Sequence, residues 1–346
     1  MEFPEIFFVE ADAGATGAAQ KLAETIADLE IENPYVIASK HGRALGAEVR
    51  GPRAPESPAA GVDQDWASDI GAHARSEGAD AIVAIGGGRR LDVAKLAAAR
   101  AGIVNIAVPT QLSHDGICSP VAVVPNAEGV AESLGAIAPR AVVISLPTLG
   151  DAPVATVAAG LGDLLANPMA LRDWALAAER GLEQLDERAW DLSTESFDAV
   201  EPFLDQDPAV SEKDPAFLRH LADALVLSGL SMICSGTSRP ASGGEHEISH
   251  AIDELYGGRA LHGAQVAFGT LISAALYEEE VTPYKERLKR LGLPAHPHAL
   301  GFDEDDVVRV ILAAPDTRPG RFTILEDSEL DEAATRALIA RIWGDE

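Results

Sequence analysis

The sequence predicts an α/β N-terminal half built on a parallel sheet, followed by an all-α C-terminal half. Two observations carry this reading. Up to about residue 150, short Val- and Ile-rich runs alternate with stretches of helical spacing, which is the grammar of βαβ units. From about residue 151, strand signals nearly vanish and long Ala/Leu-rich segments take over, as in a helical bundle. The length agrees: 346 residues, at about 150 per domain, allow two domains, 1–150 and 151–346.

The elements follow in order. Strands are expected at Ile6–Val9, Tyr35–Ala38, Ala81–Ile85, Ile103–Val108 and Ala141–Ser145. Helical spacing marks Ala18–Leu29, Trp66–Glu77 and Arg90–Ala101 between them. The halves meet at Leu149-Gly150-Asp151-Ala152-Pro153, where Gly and Pro signal a turn. Beyond it, helices are expected at Pro168–Leu185, Asp214–Cys234, Glu245–Leu255, Gln265–Glu279 and Leu330–Trp343. The acidic stretch Ser193–Asp214, with two prolines, reads as a loop or broken helix. No internal repeat is visible.

Charge and composition exclude several classes. The chain carries 55 acidic and 27 basic residues, a formal charge of −28, with no basic patch. Nucleic acid and anionic membranes are therefore not expected partners. A hydrophobic content of 47% excludes general disorder. Two cysteines, Cys118 and Cys234, make no disulfide framework. The N-terminus opens acidic, with no basic and apolar signal, and no apolar run reaches about 18 residues. A cytoplasmic protein without a membrane span is expected.

Four segments carry chemistry. In the first, a buried strand runs into Gly86-Gly87-Gly88 and then a helix bearing Arg89, Arg90, Asp92 and Lys95. Glycines let the backbone approach a pyrophosphate, and a helix N-terminus offers free N–H groups. The ordinary G-x-G-x-x-G fingerprint is absent. The second, Val108 to Pro120, follows a strand and so lies at the carboxyl edge of the sheet, where α/β folds bind ligands. It crowds Thr110, Ser113, Asp115 and Ser119 into ten residues; a hydrogen-bonded loop would do the same. In the third, Gly160 to Asn167, Asp163 taken alone reads as a helix N-cap.

The fourth segment runs from Ser235 to His250. Ser242 and Glu245 form an S-x-x-E capping box, so a helix begins there. His246 and His250 then stand one turn apart on one face, and His262 opens the next helix. An Asp with two or three His is a divalent-metal set. His246-Glu247-Ile248-Ser249-His250 also matches H-E-x-x-H, the zinc-protease pattern. The longer metzincin pattern fails, because Asp253 and Tyr256 stand where its Gly and third His belong.

In this order, the motifs resemble the iron-containing alcohol dehydrogenase/dehydroquinate synthase-like superfamily, and within it the sn-glycerol-1-phosphate dehydrogenase branch. The matching pieces are GGGxxxDxAK at 86–95, VPTxxSHDGxxSP at 108–120, GxGDxxxN at 160–167, SGxSRPASGxEHxxSH at 235–250 and HGxQ at 262–265. The tail Arg318 to Leu325 is similar to that branch as well. The resemblance implies a dehydroquinate synthase-like fold: an N-terminal dinucleotide-binding domain, a helical domain, and a metal in the cleft between them. It makes Asp163, His246 and His262 resemble the metal ligands, and His250 and Asp115 residues that touch substrate. Gly86, Gly87, Gly88, Thr110, Ser113 and Ser119 resemble contacts to the nicotinamide cofactor; Arg89 and Arg90 are grouped with them.

The implied reaction interconverts dihydroxyacetone phosphate and sn-glycerol 1-phosphate with NAD or NADP and one divalent metal, zinc first, nickel or iron otherwise. A small phosphorylated polyol is the expected substrate, and Arg239 is the candidate partner for its phosphate, unless it forms a structural ion pair. A homo-oligomer is expected on the resemblance alone. The alternatives are a glycerol or polyol dehydrogenase, a dehydroquinate synthase-like cyclase, and remotely a zinc protease. The first 50 residues match the family poorly, and Ser39-Lys40-His41-Gly42 replaces its usual glycine after the second strand.

Overall fold

Five short apolar segments, all but the edge strand Glu5–Val9 largely buried on both faces, form one parallel sheet. They are β1 (Glu5–Val9), β2 (Pro34–Ala38), β3 (Ala81–Gly86), β4 (Val104–Pro109) and β7 (Ala141–Ser145), in the order β1-β7-β4-β3-β2. The computed structural model describes residues 3–40, 42–57, 61–205 and 214–344. Successive side chains point to opposite faces of a strand. Ile82 and Ala84 of β3 accordingly pack with the helices α2 (Gln64–Ser76) and α3 (Gly88–Ala101). Val83 and Ile85 instead join Ala18 and Leu22 of α1 (Gly14–Asp28). Helices on both faces explain why the strands read as near-continuous apolar runs.

All five expected strands form. The sequence reading missed an antiparallel hairpin, β5 (Val121–Pro125) and β6 (Ala131–Gly135), which stands apart from the main sheet. Its second strand, AESLG, has none of the Val/Ile signal that marks the others. Among the described residues no strand follows Ser145. The remainder is helical, and the apolar core runs unbroken beneath the sheet and the helices.

Two expectations meet different outcomes. First, the acidic stretch is a broken helix, as one of its two readings has it. Residues 193–198 end the helix Glu187–Asp198, capped by Asp186, which accepts from Ala189 N–H at 2.8 Å, and a short helix, Glu201–Leu204, follows with Pro202 in its first turn. Ser193 and Ser196 face inward there with their hydroxyls bonded. Residues 206–213 of that stretch lie outside the described residues. Second, Ser242 does not cap the helix Gly244–Tyr256; Gly243 is its N-cap residue, and only Glu245 makes its half of the box, accepting from Gly243 N–H at 2.6 Å.

Two segments, Val154–Glu179 and Pro215–Ser235, are long and apolar enough to cross a membrane by composition. Of their most apolar windows, 83% and 67% is buried inside the fold, as expected of core helices.

Candidate active site

A cleft of about 1170 Å³ opens between the carboxyl edge of the sheet and the helical half. The sheet supplies one wall. Gly86 pairs with Pro109 in the β3–β4 register, and Thr110 N–H donates to the Gly86 carbonyl at 3.0 Å, so both loops leave the sheet side by side. Gly87 caps α3, and Gly88 begins it. A Cβ on Gly87 would fall 2.5 Å from the Gln111 amide nitrogen, and one on Gly88 would fall 2.1 Å from His114 Nε2. A side chain at either position would have to displace Gln111 or His114, and the first-turn N–H groups have no acceptor within the helix. Bare backbone and a positive helix end facing a cleft suit a pyrophosphate.

Lys95 organises this wall from behind. It is buried, pairs with Asp92 at 2.8 Å, and donates to the carbonyls of Gly116 (2.9 Å), Ser119 and Val121. The Asp and Lys of the glycine motif thus pin the 115–121 loop to α3.

The opposite wall holds the charged groups. Asp163 sits near the end of α5 (Val154–Leu164), His246 in the first turn of the helix Gly244–Tyr256, and His262 at the start of the helix His262–Leu276. Asp163 is therefore no N-cap. Its Oδ1 lies 3.8 Å from His246 Nε2 and 3.7 Å from His262 Nε2, and one ligand atom from each residue falls within 4.8 Å of the others. Glycines set this spacing. A Cβ on Gly263 would sit 1.9 Å from the Ala159 carbonyl oxygen, and one on Gly162 2.4 Å from the Gly263 carbonyl oxygen. The two helices therefore touch backbone to backbone beside Asp163 and His262.

The donor set fits a divalent cation. Asp163 Oδ2 accepts from Asp115 N–H at 2.9 Å, while Oδ1 is buried with no hydrogen-bond partner. His246 Nδ1 lies 2.9 Å from Glu245 Oε1, a carboxylate that can only accept, so Nε2 keeps its lone pair towards Asp163. His262 Nδ1 lies 3.4 Å from Ser249 Oγ. Burial, and then the nearby Asp115, push the Asp163 carboxyl well above its ordinary range; burial, and then His246, push His262 well below its own. Buried acids short of positive charge beside neutral imidazoles are what a metal relieves.

Most of the sequence-predicted site residues meet at the cleft. Gly87, Gly88, Arg89, Arg90, Ser113 and Ser119 line the sheet side. Asp115, His246, His250 and His262 line it nearer the metal set. Gly86 is buried as the last residue of β3, and Thr110 is half-buried beside it; neither lines the cleft. Asp163 lies beneath the histidines. Arg90 donates to Ser57 Oγ at 3.2 Å and lies over the Trp66 ring. Asp115 accepts from Ser228 Oγ at 2.9 Å, and burial raises its carboxyl above the usual range. His250 is held well below the usual imidazole range by burial, then by the positive Arg318.

Arg239 stands apart. It pairs with Glu183 at 3.1 Å, donates to the Phe322 carbonyl at 2.6 Å, and borders an adjoining cavity, not the main cleft. Sequence reasoning missed Gln111, His114, Glu245, Arg318 and Arg321. His114, Glu245 and the two arginines lie inside the motifs given above, and Glu245 reads there only as half of a capping box. Glu247, the would-be base of H-E-x-x-H, is buried and accepts from Thr323 Oγ1 at 3.0 Å, away from the cleft. The metal set also excludes His250.

Comparison with known proteins agrees with this geometry. The family described as iron-containing alcohol dehydrogenase matches residues 14–153. A glycerol-1-phosphate dehydrogenase (NAD(P)+) of Methanothrix thermoacetophila is 39% identical over 259 residues, 75% of this chain and 72% of the relative. One from Pyrococcus furiosus is 40% identical over 263 residues, 76% of this chain and 74% of the relative. Among solved structures, a probable glycerol dehydrogenase from Sinorhizobium meliloti superposes with a TM-score of 0.81 at 22% identity, covering 99% of this chain and 98% of that one. Glycerol dehydrogenase from Schizosaccharomyces pombe gives 0.76 at 16% identity, covering 99% and 89%. At such identities these two structures speak for the fold alone. With relatives this similar over three quarters of its length, the chain belongs to the glycerol-1-phosphate dehydrogenase family of iron-containing alcohol dehydrogenases.

Proposed function

We propose that this protein interconverts dihydroxyacetone phosphate and sn-glycerol 1-phosphate as an NAD(P)-linked, metal-dependent alcohol dehydrogenase. The observation that carries the reading is the Asp163–His246–His262 set at the floor of a cleft whose other wall is a glycine turn. Asp163 Oδ1, His246 Nε2 and His262 Nε2 would hold the metal, and two imidazoles with one carboxylate favour zinc. When bound, the metal supplies Lewis acidity at the substrate C2 oxygen, and the nicotinamide carries the hydride.

The chain's own groups do the rest. Glu245 and Ser249 fix the rings of His246 and His262, and the Asp115 N–H holds one oxygen of Asp163. Gly87 and Gly88 bring the start of α3 to the cofactor phosphates, while Ser113 and Ser119 offer hydroxyls along the same wall. His250, one turn beyond His246 and open to the cleft, relays the proton of the C2 hydroxyl. Asp163 counts against the cyclase alternative, whose ligand set is Glu-His-His.

The test is metal analysis of the purified protein joined to a substrate panel. Zinc-loaded protein is expected to oxidise NADH or NADPH with dihydroxyacetone phosphate. Oxidation only with dihydroxyacetone, or with neither, overturns the reading.

A further inference from the structure

The strongest charged feature of the cleft that this mechanism leaves unused is a knot of arginines. Arg318 and Arg321 reach from the loop before Ile324 back to the Ser238–Ser242 turn. Arg318 donates to Ser242 Oγ at 2.9 Å and to Ser238 Oγ at 3.2 Å. Arg321 donates to Ser238 Oγ at 2.8 Å and to the Ser242 carbonyl. Among the described residues neither forms an ion pair, unlike Arg239, which Glu183 neutralises.

Two nearby carboxyls are engaged elsewhere: Glu247 accepts from Thr323 Oγ1 at 3.0 Å, and Glu245 accepts from Gly243 N–H and lies against His246. Desolvation and then mutual repulsion lower both guanidiniums, Arg321 to about 9. Two crowded guanidiniums whose hydrogen bonds, among the described residues, go only to serine hydroxyls and a backbone carbonyl form a candidate anion site, and paired guanidinium forks match phosphate oxygens.

Position gives the anion its identity. Arg318, Ser238 and Ser242 line the same cleft as His246 and His250. Arg321 borders an adjoining cavity of about 480 Å³, which shares His250 and Arg318 with the cleft. Ser242 stands four residues before His246 in the chain. The knot thus borders the cleft that holds the Asp163, His246 and His262 set, where the phosphate end of a small substrate would face it.

We propose that Arg318, backed by Arg321 and the Ser238 and Ser242 hydroxyls, binds the substrate phosphate and so selects the phosphorylated substrate over its uncharged counterpart. This rests on the proposed reaction. It also explains how a chain of net charge −28 accommodates an anion: the local knot, not the whole-protein field, sets the potential there.

The test uses zinc-loaded wild-type protein with Arg318→Ala and Arg318→Lys. Kinetics are measured on dihydroxyacetone phosphate and on dihydroxyacetone, and thermal shifts with inorganic phosphate. Arg318→Ala is expected to raise KM for dihydroxyacetone phosphate about ten- to hundredfold, the scale of a lost charge-assisted hydrogen bond. Its kcat/KM should fall far less on dihydroxyacetone than on dihydroxyacetone phosphate, and stabilisation by phosphate should disappear. Arg318→Lys, which keeps the charge, should recover part of both. An unchanged KM, or equal losses on both substrates, overturns the proposal. If the wild-type protein fails on dihydroxyacetone phosphate but phosphate still stabilises it through Arg318, the reaction falls and the anion site stands; without that stabilisation both fall.

Discussion

The two walls of the cleft are built from different parts of the chain. The sheet wall presents main chain: glycines whose Cβ would meet Gln111 or His114, the first turn of α3, and a loop held by hydrogen bonds to carbonyls. The helical wall presents ionisable side chains: the buried Asp163, His246 and His250, the half-buried His262, and guanidiniums hydrogen-bonded to serine hydroxyls. The backbone wall leaves only the first-turn N–H groups of α3 without an acceptor in the helix, while ionisable side chains are costly to bury without partners. The comparison teaches that a backbone wall suited to a dinucleotide is cheap in stability, whereas the side chains proposed to take the metal and substrate are not.

The largest effect should come from the helical wall. Asp163→Asn keeps an acceptor for the Asp115 N–H but removes the anionic oxygen that faces both histidines. Activity should fall by at least about 10³-fold, beyond the 10–100-fold typical of groups that merely orient ligands. Bound metal per chain, measured by elemental analysis, should fall with it. Retained metal and activity would remove Asp163 from the set.

The second effect tests the one buried ion pair on the sheet wall. Lys95→Met strands Asp92 and frees three loop carbonyls. Stability should drop by about 3–5 kcal/mol, read from the denaturant midpoint. A change no larger than that of a surface substitution would show that the loop is held elsewhere.

The smallest effect separates the helical wall from the H-E-x-x-H reading. Glu247→Gln should leave activity close to wild type, where a zinc protease would lose it. Its signature is in pH. The folded acid holds its proton up to about 9, whereas an unfolded Glu releases it near about 4.3. The folded state thus binds the extra proton across that window, and stability declines as pH rises through it. The Gln variant should show a flatter melting-temperature profile between pH 5 and 9. Identical profiles would mean that Glu247 is ionised in the fold.

Much of this was legible in the residues. The alternation of Val/Ile runs with helical spacing locates β1 to β4 and β7, because a strand buried on both faces must be apolar throughout. Asp163, His246 and His262 come together only through the family resemblance that the order of the motifs carries; Asp163 alone reads as an N-cap, and the structure sets the three side by side. The hairpin was not legible, since Ala131–Gly135 has few branched residues and lies outside the main sheet. The inward turn of Ser193 and Ser196 was not legible either, because an inward hydroxyl with a partner looks like any other serine. Ser242 matched a capping pattern, but its oxygen faces Arg318. Arg239 drew attention by its place in a dense motif, yet Glu183, 56 residues earlier, claims it. Only three-dimensional proximity tells a neutralised arginine from one without a carboxylate.

The contact between Gly162 and Gly263 has a consequence for how such a site can change over generations. Two of the three arms, Asp163 and His262, ride on adjoining backbone, so their separation is governed by positions that carry no side chain at all. A mutation there would leave every ligand in the sequence intact and still pull the arms apart. Chemistry in this protein is thus inherited partly as missing atoms: a variant can keep its Asp, its histidines and its motif letters while losing the spacing that gives them meaning.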